Sequence, residues 1–132
     1  MNKGLRFVVS APSGCGKGTI LSEILNERIY FSVSSTTRKP RNGEVDGVDY
    51  NFITVSQFKE LIEENGMLEY AEYCGNYYGT PKNMVEKMRC AGKNVILEID
   101  VQGAMQVKEN CKDAILVFIM PPVSYTHLTL PT

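Results

Sequence analysis

Short apolar runs alternate with amphipathic stretches along most of the chain. The runs at 5–10 (LRFVVS), 94–100 (NVILEID) and 114–120 (AILVFIM) are short and rich in β-branched residues, which predicts buried strands. Two further strands are predicted at 30–36 (YFSVSST) and at 67–73 (MLEYAEY), where apolar and polar residues alternate.

Helical periodicity lies between these runs. Apolar residues recur at helical spacing in 17–29, in 54–65, in 81–92 and, more weakly, in 101–111. The second of these stretches opens with a T-x-x-Q capping box, and Phe58, Leu61 and Ile62 form its predicted buried stripe. Because strands and helices alternate, the pattern predicts an α/β fold with a parallel sheet flanked by helices.

The segment 37–52 (TRKPRNGEVDGVDYNF) breaks this alternation. It has no apolar period and contains Pro40, Gly43 and Gly47, which predicts a long ordered loop or a small subdomain. A second polar segment, GNYYGT at 75–80, predicts a turn or a hairpin.

The stretch APSGCGKGT, residues 11–19, follows the first predicted strand and precedes the first predicted helix. In such a turn, backbone N–H groups can face an anion and the helix N-terminus adds its dipole. The stretch departs from the strict G-x-x-x-x-G-K-[ST] pattern at Ala11 and Gly18. Lys17 would place its charge on the β- and γ-phosphates, and Thr19 offers a hydroxyl one position late, so a magnesium contact is expected to be shifted or to pass through water. The alternative is an ordinary strand–helix turn with a surface lysine.

Further candidate groups follow other predicted elements. Asp100 ends a strand, the usual place for a magnesium-orienting acid, and strand carboxyl ends share one edge of a parallel sheet. Arg38 and Arg41 can clamp a phosphate with two guanidinium forks, although a solvated basic loop or a nucleic-acid patch is the alternative. Tyr50 and Tyr78 can add phenolic hydrogen bonds, although tyrosines are more often core residues. A nucleotide loop and a second anion clamp together suggest phosphoryl transfer between two phosphorylated molecules.

Composition narrows the functional class. Fourteen basic and fifteen acidic side chains give a net charge of −1, so nucleic acid and acidic membranes are not expected partners and any anion site must be local. The four cysteines have no C-x-x-C spacing and the chain has one histidine, His127, which disfavours a zinc site. Without a secretory signal, free thiols in the cytoplasm are expected. No apolar run reaches the roughly 18 residues of a membrane span, and the sequence sets no oligomeric state.

The combined motifs resemble the guanylate kinase family. The resemblance covers about residues 5–122 and is carried by SAPSGCGKGT (10–19), SVSSTTRKPRNGEVDGVDYNFI (32–53), LEYAEYCGNYYGTP (68–81) and ILEIDVQGA (96–104). It implies a P-loop NTPase core, residues 1–35 and 91–122, with an inserted α+β GMP-binding subdomain at about 36–90 that closes over its substrate. The implied reaction is Mg²⁺-dependent transfer of the ATP γ-phosphate to GMP, giving ADP and GDP.

The resemblance also implies a role for individual residues. It assigns ATP binding to Ala11, Pro12, Ser13, Gly14, Cys15, Gly16, Lys17, Gly18 and Thr19, with Thr19 also as the metal contact, directly or through water. It assigns GMP binding to Ser34, Arg38, Arg41, Tyr50, Glu69, Tyr78, Thr80 and Asp100, and catalysis to Lys17, Arg38, Arg41 and Asp100. In this assignment Glu69 accepts from guanine N1–H and the 2-amino group, which adenine lacks. The alternating pattern of 67–73 by itself would instead place Glu69 on a solvated face.

The resemblance ends at residues 120–122. Residues 123–132 (VSYTHLTLPT) show no helical period and are expected to be a disordered tail foreign to the fold, although a divergent terminus is the alternative. The arginine-bearing lid and the last core elements of the family are then expected to be missing. An arginine of that kind contributes about 10³ to 10⁵ in rate in related transfers, so weak GMP binding and poor turnover are expected. The run at 114–120 is expected to form an exposed apolar edge.

Two other functions fit parts of the pattern. A non-catalytic guanylate-kinase-like module that binds protein partners is the main alternative, but such modules typically lose the phosphate loop, and Gly14, Gly16 and Lys17 are present here. ATP binding would separate the two interpretations. A switch GTPase would need an N-K-x-D motif to read guanine, and the sequence contains none.

The phosphate-loop interpretation predicts that ATP protects Cys15 from alkylation. Bound phosphates would cover the loop, so labelling of Cys15 is expected to slow several-fold, as measured by mass spectrometry of the labelled peptides. The other three cysteines serve as internal controls. Equal labelling of Cys15 with and without ATP would count against a nucleotide at this loop.

Overall fold

The computed structural model of the protein describes residues 3–10 and 28–119. The predicted phosphate loop, residues 17–27 of the predicted helix and the predicted tail at 123–132 lie outside these residues. The helix prediction is wrong for Ile29, which lies in a strand. In chain order the elements are β1 (Arg6–Ser10), β2 (Ile29–Phe31), β3 (Ser35–Thr36), β4 (Asn51–Phe52), α1 (Val55–Glu63), β5 (Met67–Tyr73), β6 (Asn76–Pro81), α2 (Lys82–Cys90), β7 (Asn94–Glu98), α3 (Val101–Asn110) and β8 (Ile115–Phe118).

Four of these strands form a parallel sheet in the order β2-β7-β1-β8. The central strand β1 pairs with β7 on one side and with β8 on the other, so that Val8 lies opposite Leu97 and Leu116. The predicted α/β fold with a parallel sheet is therefore confirmed. The prediction of buried strands holds for most of β1 and β7 but is wrong for β8, where Ile115, Val117 and Phe118 are exposed.

A hydrophobic core joins this sheet to the helices and to the second sheet. Leu68 of β5 reaches into the same cluster as the strand residues, α2 and α3 contribute three further side chains, and Ala114 lies just before β8. The buried members are Val8, Leu68, Val85, Val95, Leu97, Ala104, Val107 and Ala114. Because Leu68 and Glu69 are neighbours on β5, the packing of this core also sets the position of the following carboxylate.

The second sheet has the order β4-β3-β6-β5. Its strands β5 and β6 form an antiparallel hairpin, which confirms the hairpin alternative predicted for 75–80. The two-residue turn consists of Cys74 and Gly75, with φ of 51° and 81°. Positive φ at both positions is the geometry that matches the twist of a tight hairpin.

The single strand predicted at 30–36 is wrong, because the chain passes from one sheet to the other within it. β2 belongs to the parallel sheet, whereas β3 pairs with β4 and β6 of the second sheet. The backbone N–H of Ser32 still donates to Ile96 at 3.0 Å, while the carbonyl of Ser34 accepts from Asn51 at 2.8 Å. The β-propensity of the segment is continuous, so the change of partner leaves no local signal.

Helix α1 follows its predicted start signal. The Thr54 hydroxyl accepts from the Gln57 N–H at 3.1 Å, and the Gln57 side chain accepts from the Thr54 N–H at 2.9 Å, which completes the capping box. Phe58 is fully buried and stacks on Tyr77 of β6 with the ring centroids 5.2 Å apart. Helix α1 thus packs on the second sheet.

Helix α3 lies across the edge strand of that sheet. Its Gln106 side chain donates to the Tyr70 carbonyl at 3.2 Å and accepts from the Tyr70 N–H at 3.3 Å, and Asn110 donates to the Leu68 carbonyl at 3.1 Å. Because α3 also packs on the parallel sheet through Ala104 and Val107, it holds the two sheets together. No helix in the described ranges has the length and apolar character needed to cross a membrane.

A cluster of charged side chains lies at the amino end of strand β1 in the parallel sheet. Arg6 of β1 donates to Glu86 of α2 at 2.8 Å and to Asp113 at 3.0 Å. Arg89, which is buried, also donates to Glu86 at 2.8 Å, and its Nε donates to the Gly4 carbonyl at 2.9 Å. These contacts attach α2 to β1 at the amino end of that strand.

Replacement of Leu68 tests whether this shared core supports the second sheet. Leu68 is 2% exposed, so Leu68→Ala is expected to lower the free energy of unfolding by about 2 to 5 kcal/mol. Leu68→Met conserves most of the volume and is expected to cost less than about 1.5 kcal/mol. Urea denaturation measures both, and equal losses for the two variants would contradict the packing described here.

Candidate functional site

A cavity of about 480 Å³ lies where the carboxyl end of β7 faces the second sheet. Most of the lining residues are polar or aromatic, and they come from β5, β6 and β7, from the segments before β3 and β4, and from the start of α3 and the two residues before it. The lining residues are Ser34, Tyr50, Glu69, Ala71, Glu72, Tyr73, Tyr78, Gly79, Glu98, Ile99, Asp100 and Gln102. Its position agrees with the rule that ligands of open parallel sheets bind beyond the carboxyl ends of the strands.

Glu69 is the most deeply buried carboxylate of this wall, at 8% exposure. The solvated position suggested by the alternating pattern is therefore wrong for this residue. Met67, Leu68 and Glu69 are buried in succession, and the β5–β6 register shifts between Met67 and Glu69, so the simple alternation of faces fails here. A sequence pattern carries no information on such a register shift.

The carboxylate of Glu69 is held on one side and crowded on another. Its Oε1 accepts a hydrogen bond from the Thr80 hydroxyl on the neighbouring strand β6 at 2.9 Å. Burial raises the pKa of Glu69 and the nearby charge of Asp100 raises it further, while the hydrogen bond from Thr80 opposes both effects. A ligand that donates N–H groups would therefore stabilise the charged form of Glu69, which burial and Asp100 disfavour.

Asp100 follows the last residue of β7 by two positions and caps helix α3. Its Oδ1 accepts from the Gly103 N–H at 2.7 Å, and the residue also lines the cavity. This arrangement places a carboxylate at the strand tip with its orientation fixed by the helix that follows.

Arg38 lies beside the cavity in a cluster with two tyrosines. Its guanidinium carbon is 5.3 Å from the centroid of the Tyr50 ring, and the neighbouring Tyr78 side chain contributes to the raised pKa of Arg38. The rings of Tyr50 and Tyr78 meet edge to face with centroids 6.1 Å apart, and both rings line the cavity. A fixed positive charge and two aromatic hydroxyl groups therefore occur together at one part of the wall.

Glu44 orients this arginine, and the sequence analysis did not anticipate its role. Both terminal nitrogens of Arg38 donate to the Glu44 carboxylate at 3.0 Å, and the Arg41 backbone N–H donates to it at 2.7 Å. The hydrogen bonds to Glu44 raise the pKa of Arg38, and those from Arg38 lower the pKa of Glu44. The pair stays charged, and the Arg38 fork predicted to grip a phosphate is engaged by Glu44 in this structure.

The structure brings most of the predicted acceptor-site residues together. Ser34, Tyr50, Glu69, Tyr78 and Asp100 line the cavity. Two of the remaining members lie next to lining residues: Thr80 donates to Glu69, and Arg38 lies over the Tyr50 ring. Arg41 is not among the lining residues; it is exposed, and its backbone N–H donates to Glu44. Ala11, Pro12, Ser13, Gly14, Cys15, Gly16, Lys17, Gly18 and Thr19 lie outside the described residues.

Several lining residues carried no sequence signal. Glu72 and Tyr73 extend the exposed end of β5, and Gln102 lies on the first turn of α3. Glu98, by contrast, belongs to the NVILEID run that ends where ligands of a parallel sheet are expected, and it lines the same wall as Asp100. In the part of the chain that the structure describes, no group of three or more His, Cys, Asp or Glu residues is arranged to hold a metal ion.

Comparison with known proteins agrees with this geometry. The family model described as guanylate kinase matches residues 3–129. The chain is 58% identical to the guanylate kinase of Clostridium perfringens (strain SM101 / Type A) over 123 residues. This alignment covers 92% of this chain and 57% of the relative. The guanylate kinase of Clostridium tetani (strain Massachusetts / E88) is also 58% identical over 123 residues, with coverage of 92% and 59%.

A solved structure shows the same similarity in three dimensions. The crystal structure of guanylate kinase from Anaplasma phagocytophilum aligns with a TM-score of 0.74 at 37% identity, over 92% of this chain and 63% of that chain. The chain therefore spans less than two thirds of the length of each of these relatives.

Because the charge of Glu69 is buried, replacing it with a neutral side chain is expected to stabilise the fold, and the size of this effect should depend on pH. A carboxyl group whose pKa is raised by folding stabilises the fold below its unfolded pKa of about 4.3, and this contribution is lost as the pH rises through the raised value. Glu69→Gln is therefore expected to raise the melting temperature at pH 7.5 by roughly 4 °C, which corresponds to about 1 kcal/mol, and to change it little near pH 4.

Thermal melts at the two pH values measure this difference. Glu72→Gln, an exposed change on the same strand, is the control and is expected to leave the melting temperature unaltered. A lower melting temperature for Glu69→Gln at pH 7.5 would mean that the carboxylate stabilises the fold.

Proposed function

Because the chain belongs to the guanylate kinase family, we propose that its cavity binds GMP as the acceptor in an ATP:GMP phosphotransferase reaction. The single observation that carries the proposal is the cavity wall itself. A buried carboxylate, Glu69, and a guanidinium cluster around Arg38 border one cavity through Tyr50 and Tyr78. A purine nucleotide that donates N–H groups at its base and carries an anionic phosphate complements both.

The base is proposed to bind at Glu69. With Oε1 already accepting from Thr80, the carboxylate can accept further hydrogen bonds from guanine N1–H and the 2-amino group. Adenine offers neither donor in that place and would leave the buried charge without compensation, which is the stronger source of discrimination. Ser34 lines the same cavity and is proposed to contact the guanine as well.

The phosphate is proposed to bind at the Arg38 cluster. Glu44 and the Lys39 carbonyl engage three N–H groups of Arg38, so the arginine is oriented before the phosphate arrives. Its remaining donors, the hydroxyls of Tyr50 and Tyr78 and the exposed Arg41 are the groups offered to the phosphate oxygens. Prior orientation of this kind lowers the entropic cost of binding.

The donor side of the proposal depends on residues 11–19, with Lys17 directed to the ATP phosphates. In this proposal the acceptor oxygen of GMP attacks the γ-phosphate in line, without a covalent enzyme intermediate, so that positioning and charge neutralisation provide the catalysis. Mg²⁺, which prefers oxygen ligands, would neutralise charge on the phosphates. Asp100, together with the hydroxyl of Thr19, supplies oxygen donors of the required type, since Mg²⁺ is usually held by one or two carboxylates and substrate phosphates.

The same proposal assigns residues of about 36–90 to a subdomain that closes over GMP. The second sheet and α1 fall within this range, and closure would exclude water from the transferring phosphate. The non-catalytic alternative has less support, because the relatives named above are all called guanylate kinase and because Glu69 lines the cavity while Arg38 lies against its Tyr50.

Removal of the Arg38 guanidinium tests the phosphate assignment. Arg38→Ala is expected to weaken GMP binding by about 10- to 100-fold, because hydrogen bonds to charged groups contribute about 1.5 to 3 kcal/mol. Binding of guanosine, which has no phosphate, is expected to stay within about twofold. Titration calorimetry of both ligands against both proteins gives the comparison.

Lys39→Ala provides the matched control, since its exposed side chain can be removed while its carbonyl still contacts Arg38. Equal GMP affinities for the Arg38→Ala variant and the unchanged protein would overturn the phosphate assignment. An equal preference of the unchanged protein for AMP would overturn the role of Glu69.

A further inference from the structure

Gly103 occupies an unexpected place for a glycine. It lies in the first turn of helix α3 and is buried, and glycine in a helix is less stable than alanine. The glycines of positive φ within the described residues are Gly43, Gly47, Gly75 and Gly92, so Gly103 is not required by a left-handed backbone. The reason for a missing side chain must lie in the space around it.

Two carboxylates fill that space. A Cβ atom at residue 103 would lie 3.1 Å from Oε2 of Glu69, 3.3 Å from its Cδ and 3.2 Å from Oδ1 of Asp100. All three distances are shorter than an ordinary van der Waals contact of about 3.5 Å. Neither acid can withdraw without loss, because Glu69 is held by Thr80 and Asp100 by the Gly103 N–H itself.

We propose that Gly103 is a positioning residue for the Glu69 carboxylate, and that its missing side chain keeps both carboxylate oxygens at the orientation that the purine edge requires. This inference rests on the proposed function, in which Glu69 reads guanine. Gly103 itself need not touch the nucleotide. Any side chain at this position turns or displaces Oε2, the oxygen that is not taken by Thr80.

A pair of acceptor oxygens can serve two donors only while its plane is aligned with them. GMP presents N1–H and a 2-amino group, whereas IMP presents N1–H alone. A carboxylate displaced by a few tenths of an ångström can turn to keep one of the two hydrogen bonds but not both. Crowding at Gly103 is therefore expected to weaken GMP binding more than IMP binding, which lowers the preference for GMP.

The test measures GMP and IMP binding by calorimetry for the unchanged chain, for Gly103→Ala and for Met105→Gly. Gly103→Ala is expected to weaken GMP binding about tenfold and IMP binding less than threefold, although alanine favours the helix. Met105 is 55% exposed on the same helix, so Met105→Gly is expected to lower the melting temperature by a few degrees and keep the GMP-to-IMP ratio.

The outcomes separate this inference from the proposed function. The role of Gly103 is supported if Gly103→Ala loses the preference for GMP over IMP while Met105→Gly keeps it. A normal GMP preference in the unchanged chain that Gly103→Ala retains overturns the role of Gly103 and leaves the proposed function standing. Absence of any GMP preference in the unchanged chain overturns the base-reading assignment and this inference with it.

A double-mutant cycle tests the contact without any nucleotide. Gly103→Ala is compared in the unchanged chain and in the Glu69→Ala background, where the crowding carboxylate is gone. The alanine is expected to raise the melting temperature by at least about 2 °C more in the Glu69→Ala background than in the unchanged chain. Identical shifts in the two backgrounds would show that the side chain at 103 does not crowd Glu69, and the proposal would fail.

Discussion

The buried carboxylate of Glu69 is the interaction on which the rest of the site depends. A charge at this depth is unfavourable unless polar partners compensate it, and within the described residues the structure provides one direct hydrogen bond, from Thr80, while Asp100 opposes the charge. The folded protein therefore keeps an acceptor that is only partly satisfied. A ligand with two N–H donors would supply the missing hydrogen bonds to Glu69. A ligand without them would leave the carboxylate charge uncompensated and would bind more weakly.

The arginine cluster follows the opposite principle. Glu44 pairs with Arg38 before any ligand is present, so the cation is oriented by a bidentate pair and by the Tyr50 ring. One part of the cavity wall is thus poor in partners and another is rich in them. This division fits a ligand whose base is recognised by its hydrogen-bond pattern and whose phosphate requires a positive charge that is already oriented.

Sequence reasoning predicted the elements better than their partners. The apolar runs gave the parallel sheet, and the T-x-x-Q box gave the start of α1, because both depend on residues close in the chain. The division of 30–36 between two sheets and the burial of Glu69 were missed, because each depends on a distant strand. The predicted residues that line the cavity were chosen from motifs and from the family resemblance, whereas the contacts of Glu44 and Gly103 are visible only in the folded chain.

The amides that α3 places along β5 have one more consequence. An outer strand normally offers alternate N–H and C=O groups to any extended peptide that can pair with it. At Leu68 and Tyr70 these groups are already occupied by Asn110 and Gln106 of the same molecule. The helix thereby acts as a built-in block to strand addition along this part of the border, and the sheet that carries Glu69 is kept from intermolecular β-pairing there.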